Sequence, residues 1–252
     1  MRRSAALALA ALTVAALAAA CTGGSGDDAA PALPAGPAIT YVAIGASETV
    51  GVGTDDPIRE AWPQVFYRAA LPTTAVFVNL GIPGATVADA LDRELPQALD
   101  LEPDLVTVWL NVNDMVDGIS PSDYEARLDT LLSGLRRGGR TRVLVANTPP
   151  LDRLPAYLAC RPDPPPDAPP CLVGINLPPP DALETAIDAY NRAIERAAEG
   201  NGAEVVDLHA VALAARAAGT EDELVSADGF HPSAEGAIVV AEAFAATLEE
   251  AG

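Results

Sequence analysis

Lysine is absent from the 252 residues, histidine occurs twice, and cysteine occurs three times. Each scarcity narrows the chemistry. The missing lysine, beside heavy alanine and proline usage, reads as the codon bias of a GC-rich genome and carries no mechanistic meaning. Only arginine is left to carry permanent positive charge, and 15 arginines face 35 acidic residues. Phosphate contacts need a basic surface, so a nucleic-acid partner is excluded. Anionic lipid headgroups are repelled as well, so membrane attachment has to come from a lipid anchor. Two cysteines beyond Cys21, with no histidine near them, supply too few ligands for a metal site. No metal or organic cofactor is expected.

No stretch is suited to spanning a membrane. The most apolar run, Ser4 to Ala20, is too short and too rich in alanine. With Met1-Arg2-Arg3 before it and small residues after it, it has the anatomy of a secretory signal covering residues 1–20. "LAAAC" resembles the bacterial lipobox, in which the cysteine, here Cys21, is lipidated and becomes the new N-terminus. Leu17 stands one position early for that pattern, and plain secretion after Ala18-x-Ala20 is the alternative. Residues 21–38 read as a flexible tether, which leaves 39–252 as the folded domain. Without the leader, 13 arginines stand against 35 acids, a formal charge of −22. Export puts Cys160 and Cys171 in an oxidising compartment, where a disulfide is expected. Closing a loop of that size restrains the unfolded chain by about 3 kcal/mol in the entropic model.

Five short runs rich in Val, Ile and Leu show little alternation: "ITYVAIG" (39–45), "AVFVNLG" (75–81), "LVTVWLN" (105–111), "RVLVAN" (142–147) and "AEVVDL" (203–208). Strands buried on both faces have this character. Segments with helical spacing lie between them, at 86–99, 121–138 and 181–200, and an apolar helix closes the chain. For 121–138 the end signals are Ser120 as cap, Pro121 at the first position and Gly138 as stop. The alternation predicts a three-layer α/β/α sandwich around a parallel, five-stranded sheet. Residues 149–180 carry too many prolines for helix or sheet interior and read as a long surface excursion beyond the fourth strand. Ligands bind beyond the carboxyl ends of such strands, so this excursion, stapled by Cys160–Cys171, is a candidate wall or lid. A decorative insertion is the alternative.

Chemistry-bearing residues collect at that same edge. Ser47 follows the first run, Gly84 the second, and Asn111, Asn113 and Asp114 the third. Asp228-x-x-His231 stands before the last helix. A serine hydroxyl is a weak nucleophile until an oriented base takes its proton. With two histidines the choice of base is short. One turn can lay Asp228 against one imidazole nitrogen of His231 and leave the other facing Ser47, while Pro232 keeps His231 out of the final helix. His209, at the end of the fifth run with Asp207 two residues before it, is the weaker candidate. Acyl transfer also needs donors aimed at an oxyanion. The Ser47 N–H, the Gly84 N–H and the Asn113 amide are the candidates.

In this order and on these elements, Ser47, Gly84, Asn113 and His231 resemble the SGNH hydrolases, also called GDSL esterases/lipases, across residues 39–235. The resemblance implies a flavodoxin-like sandwich and serine acylation. It implies Ser47 as nucleophile, Asp228 and His231 as its triad partners, and Gly84 and Asn113 as oxyanion donors beside the Ser47 N–H. Two blocks depart from the family pattern. Gly-Asp-Ser-Leu is Gly45-Ala46-Ser47-Glu48 here, and Gly-x-Asn-Asp is Asn111-Val112-Asn113-Asp114. Glu48 is expected to disfavour strongly apolar or anionic substrates, and Asn111 to fill space that glycine leaves. The α/β-hydrolase fold is excluded, because its elbow needs Gly-x-Ser-x-Gly and Thr49 stands two residues after Ser47. The expectation is an exported, monomeric serine esterase acting on a small-molecule or glycan ester. An O-acetylesterase or acyltransferase on polysaccharide is the second reading, and a non-catalytic binding module the third.

Overall fold

A computed structural model describes residues 38–168, 170–171 and 177–250. The expected signal, most of the tether and Cys21 lie outside the described residues. Five strands form one parallel sheet: β1 (Thr40–Gly45), β2 (Val76–Asn79), β3 (Leu105–Trp109), β4 (Arg142–Ala146) and β5 (Glu204–Val206). Their order is β2-β1-β3-β4-β5. This is the flavodoxin-like order, and the direction of winding reverses between β1 and β3.

Successive side chains on a strand point to opposite faces, so each buried run feeds two cores. Val42, Ile44, Val106, Val108, Val143 and Val145 pack with residues of helices Pro121–Arg136 and Pro180–Asn201. Tyr41, Ala43, Leu105, Leu144 and Ala146 pack on the other side with Trp62, Phe66 and Phe244 of helices Trp62–Ala70 and Ala234–Glu250. Trp62 and Phe244 stack there with ring centroids 4.3 Å apart. Two buried faces explain why the runs do not alternate. The three-layer α/β/α sandwich read from the sequence is the fold observed.

Helix Pro121–Arg136 starts as its signals indicate, with the Ser120 hydroxyl accepting from the Asp123 N–H at 3.1 Å. It stops two residues before Gly138, with Arg137 in the left-handed conformation. The segment at 86–99 is helical but not uniform. Thr86 and Asp89 form a capping box, a π-helical turn occupies Ala90–Glu94, and an α-helix resumes at Leu95–Asp100. Pro96 has no N–H to return to the preceding turn, and the wider turn absorbs that loss.

The 149–180 excursion differs from expectation. It contains a helix, Pro155–Cys160, and Pro180 opens helix Pro180–Asn201. Both prolines sit at a first helical position, where the missing N–H would have had no acceptor. Leu151, Tyr157, Leu183 and Ile187 form a small third core that seats the excursion on helix Pro180–Asn201. Cys160 and Cys171 are joined in a disulfide.

Candidate active site

Ser47 begins a single helical turn, Ser47–Val50, directly after β1. An N–H in a first helical turn has no intrahelical acceptor, so the Ser47 N–H is free to serve something else. On the far side of the sheet edge, Asp228 and His231 share one tight loop. The Asp228 Oδ1 accepts from the Ser226 hydroxyl at 2.8 Å and from the N–H groups of Phe230 at 2.8 Å and His231 at 2.9 Å. Its Oδ2 lies 2.6 Å from His231 Nδ1. Partial burial raises the Asp228 carboxyl, but the hydrogen bonds from His231, Phe230 and Ser226 outweigh it and hold it at about 2. The aspartate is therefore ionised and can only accept. Nδ1 must carry the proton, and in the neutral imidazole Nε2 is then an acceptor. Ser47 Oγ lies 2.8 Å from that nitrogen. The hydroxyl donates to a base already oriented by a carboxylate.

Gly84 stands in the turn Ile82-Pro83-Gly84-Ala85, closed by the Ala85 N–H donating to the Ile82 carbonyl at 2.9 Å. Its φ of +80° is the value a type II turn asks of its third residue. A Cβ at Gly84 would meet nothing within 4 Å, so backbone conformation rather than crowding calls for glycine. Asn113, in the helical turn Val112–Val116 after β3, donates from Nδ2 to the Ala85 carbonyl at 2.9 Å. The second Nδ2 hydrogen is left for another acceptor. Asp114 is fully buried and accepts from the Val87 N–H at 3.0 Å. Asn113 and Asp114 thus clamp the segment that carries Gly84.

Two supporting residues, Glu94 and Gly53, were missed in the sequence. Glu94, fully buried in the π-helical turn, accepts from the Gly45 N–H at 3.0 Å through Oε2, and its Oε1 has no partner. Burial pushes its carboxyl up to about 8, against the Gly45 hydrogen bond and with a further contribution from nearby Glu48. Glu48 turns back onto the Ala46 N–H at 3.1 Å, and burial lifts its carboxyl to about 7. Two carboxyls therefore hold the backbone on which Ser47 stands. Gly53 is the other omission. A Cβ there would come within 2.8 Å of His231 Cβ, so the loop after Ser47 passes directly beneath His231. The "GVG" of residues 51–53 was its only sequence signal.

His209 is used elsewhere. Its Nδ1 lies 3.0 Å from the Thr148 carbonyl, and its N–H donates to Asn147 Oδ1 at 2.9 Å. Asp207 caps the helix Leu208–Ala218.

Ser47, Asn113 and His231 line one cavity of about 140 Å³, together with Glu48 and Asn111. The excursion forms part of its wall through Pro149, Pro150, Leu151 and Leu154. Arg216 braces this wall, contacting Asp152 at 2.9 Å and Glu221 at 2.7 Å. The Ala156 N–H donates to the Gly229 carbonyl at 3.1 Å, which ties the excursion to the Asp228–His231 loop.

Fold and site together define an α/β/α sandwich of the hydrolase type. Comparison with known proteins agrees. The model of the GDSL-like lipase/acylhydrolase family matches residues 43–237. An arylesterase of Vibrio mimicus is 31% identical over 101 residues, covering 39% of this chain and 50% of that protein. The chain thus spans about half the length of that curated relative. The lipase/acylhydrolase of Enterococcus faecalis superposes with a TM-score of 0.61 at 19% identity, over 84% of this chain and 96% of the other. The psychrotrophic esterase EstA of Pseudoalteromonas sp. gives a TM-score of 0.60 at 15% identity, over 84% and 97%. These two likenesses concern the fold alone. This chain belongs to the GDSL-like lipase/acylhydrolase family.

Proposed function

We propose that the chain is an exported serine esterase that hydrolyses carboxylic esters through an acyl-enzyme. One observation carries the reading: the unbroken line Ser47 Oγ, His231 Nε2, His231 Nδ1, Asp228 Oδ2, with links of 2.8 Å and 2.6 Å at its two ends. His231 Nε2 takes the Ser47 proton as Oγ attacks the ester carbonyl carbon. The imidazolium that forms faces an ionised Asp228, which stabilises it without taking its proton. The carbonyl oxygen, now an oxyanion, receives the Ser47 N–H, the Gly84 N–H and the free Asn113 amide hydrogen. On collapse, the bond to the alcohol breaks and His231 protonates the departing oxygen. Water then enters, gives a proton to His231, and attacks the acyl-serine. Breakdown of this second intermediate releases the carboxylic acid and returns the proton to Ser47.

Export rests on the N-terminal sequence, with Cys21 as the residue that would carry a lipid anchor. The chain is proposed to act as a monomer.

A fluorophosphonate probe tests the reading directly. The wild type is expected to be labelled at Ser47, and Ser47→Ala is expected to lose both labelling and turnover. Labelling that survives Ser47→Ala would remove Ser47 from the nucleophile's role.

A further inference from the structure

Glu94 takes no part in the proton transfers between Ser47 and His231, yet it is fully buried against the strand that delivers Ser47. Its Oε2 accepts from the Gly45 N–H at 3.0 Å, and its Oε1 has no hydrogen-bond partner. A buried acid with one oxygen unpartnered is poorly solvated, and this lowers stability. The segment that presents it, Ala90–Glu94, is a π-helical turn, a rare form that recurs at functional sites. Both irregularities fall within hydrogen-bonding reach of the last residue of β1.

Hydrogen bonds lead from Glu94 towards both backbone donors assigned to the oxyanion. Gly45 ends β1, and Ser47 follows two residues later. The Gly45 carbonyl accepts from the Ile82 N–H at 2.9 Å. The Ile82 carbonyl in turn accepts from the Ala85 N–H at 2.9 Å, which closes the turn that holds Gly84. Glu94 therefore fixes the N–H side of Gly45, while the carbonyl side of the same residue fixes the Gly84 turn. The next N–H along the chain, that of Ala46, donates to Glu48 Oε1 at 3.1 Å. With the N–H groups of Gly45 and Ala46 both given to carboxyls, the one that follows is the Ser47 N–H.

We infer that Glu94 is a positioning residue of the reaction, which by holding Gly45 aligns the Ser47 and Gly84 N–H groups on one oxyanion. The inference rests on the serine-esterase reading and goes beyond it, since Glu94 does not line the cavity at Ser47. Its charge state matters to the same alignment. Burial raises the carboxyl to about 8 against the Gly45 hydrogen bond, so it is neutral at pH 7. Three charged groups bear on it: Glu48 from the turn after β1, which raises it further, and Arg93 and Asp89 from the adjoining helical turns, which oppose each other. Helix Pro121–Arg136 packs on the same segment with a buried face of four leucines and Tyr124, whose hydroxyl donates to the Leu110 carbonyl. Ionisation of Glu94 would leave a charged Oε1 without a donor. It would also set a negative charge behind the N–H groups that have to stabilise a second one.

The test measures kcat and KM on p-nitrophenyl acetate across pH for the wild type, Glu94→Leu and Glu94→Gln, each well below its melting temperature. Leucine offers the Gly45 N–H no acceptor, and this variant is expected to lose about 10²-fold in kcat with KM changed by less than about twofold. Glutamine keeps an acceptor and cannot ionise, so it is expected to recover most of that loss at pH 7. In the wild type kcat is expected to fall about tenfold between about pH 7 and about pH 9, and in Glu94→Gln by less than about threefold. A leucine variant with the wild-type kcat would overturn the proposal. So would a glutamine variant no better than leucine at pH 7, or one whose alkaline fall matches that of the wild type. If the leucine variant does not fold, the pH profile of the glutamine variant decides alone. If the wild type turns over no ester and Ser47 is not labelled by fluorophosphonate, the esterase reading fails and this inference falls with it. A labelled and active enzyme whose alkaline fall survives Glu94→Gln overturns the role of Glu94 alone.

Discussion

Ser47 Oγ and His231 Nε2 lie 2.8 Å apart although 184 residues separate them in the chain. The sheet delivers one from the end of β1 and the last loop delivers the other. The contact is useful only because His231 reaches it with its proton on Nδ1, held there by Asp228.

Asp228→Asn is the sharpest probe of that tautomer. An asparagine in this position can present an amide N–H to Nδ1 and drive the imidazole proton to Nε2, where it cannot accept from Ser47. The expected result is a fall in kcat of about 10³–10⁴-fold with the fold retained. Stopped-assay kinetics beside a thermal melt would check it. A loss below tenfold would mean that Asp228 does not set the tautomer.

Asn113→Ala removes a side chain whose amide donates to the Ala85 carbonyl and has a second hydrogen to spare. A donor to the oxyanion acts on the transition state more than on the bound ester. The variant is expected to lose about 10²–10³-fold in kcat with little change in KM. A change confined to KM or to the melting temperature would reduce Asn113 to a clamp on the Gly84 turn.

Glu94 makes stability depend on pH. Its carboxyl is raised from 4.5 to about 8 by burial, so the folded state holds a proton that the unfolded chain has released above about pH 4.5. Stability from this group is complete below that value and is lost as pH rises through about 8. Glu48 titrates in the same direction, from 4.5 to about 7. The melting temperature is expected to be lower at pH 9 than at pH 5, and Glu94→Gln should reduce the difference without abolishing it. An equal drop in both proteins would show that the fold does not raise the Glu94 carboxyl above its unfolded value.

The Cys160–Cys171 bridge closes a short loop in the wall that carries Leu151 and Leu154. Replacing both cysteines by serine is expected to lower unfolding stability by about 3 kcal/mol. Urea melts of the two proteins without reductant would check it. A midpoint unchanged by the double substitution would mean that the excursion is held by the Arg216 ion pairs and its small core alone.

Some of this was legible before any coordinates. The five runs of Val, Ile and Leu are strands, because a strand covered on both faces needs apolar side chains at odd and even positions alike. Ser120-Pro121 starts a helix for reasons confined to one turn. The excursion was read only in part. Its prolines argued against helix, yet Pro155 and Pro180 each stand at the one helical position that tolerates them. Glu94 gave no signal at all. In sequence it is one more acid in an acidic helix, and only the packing of the π-helical turn under Gly45 buries it.

The sequence by itself determined what depends on neighbours along the chain: the strands, the helix starts, and the Asp228–His231 pair, whose members are three residues apart. Tertiary structure decided what depends on surfaces that meet from distant segments. That includes the Ser47–His231 contact, the raised carboxyls of Glu48 and Glu94, the support Gly53 lends His231, and the cavity at Ser47. The physical reason is that burial and electrostatic environment are properties of the assembled interior. Residue spacing proposes which groups can meet there, but only packing sets their distances and the water left between them.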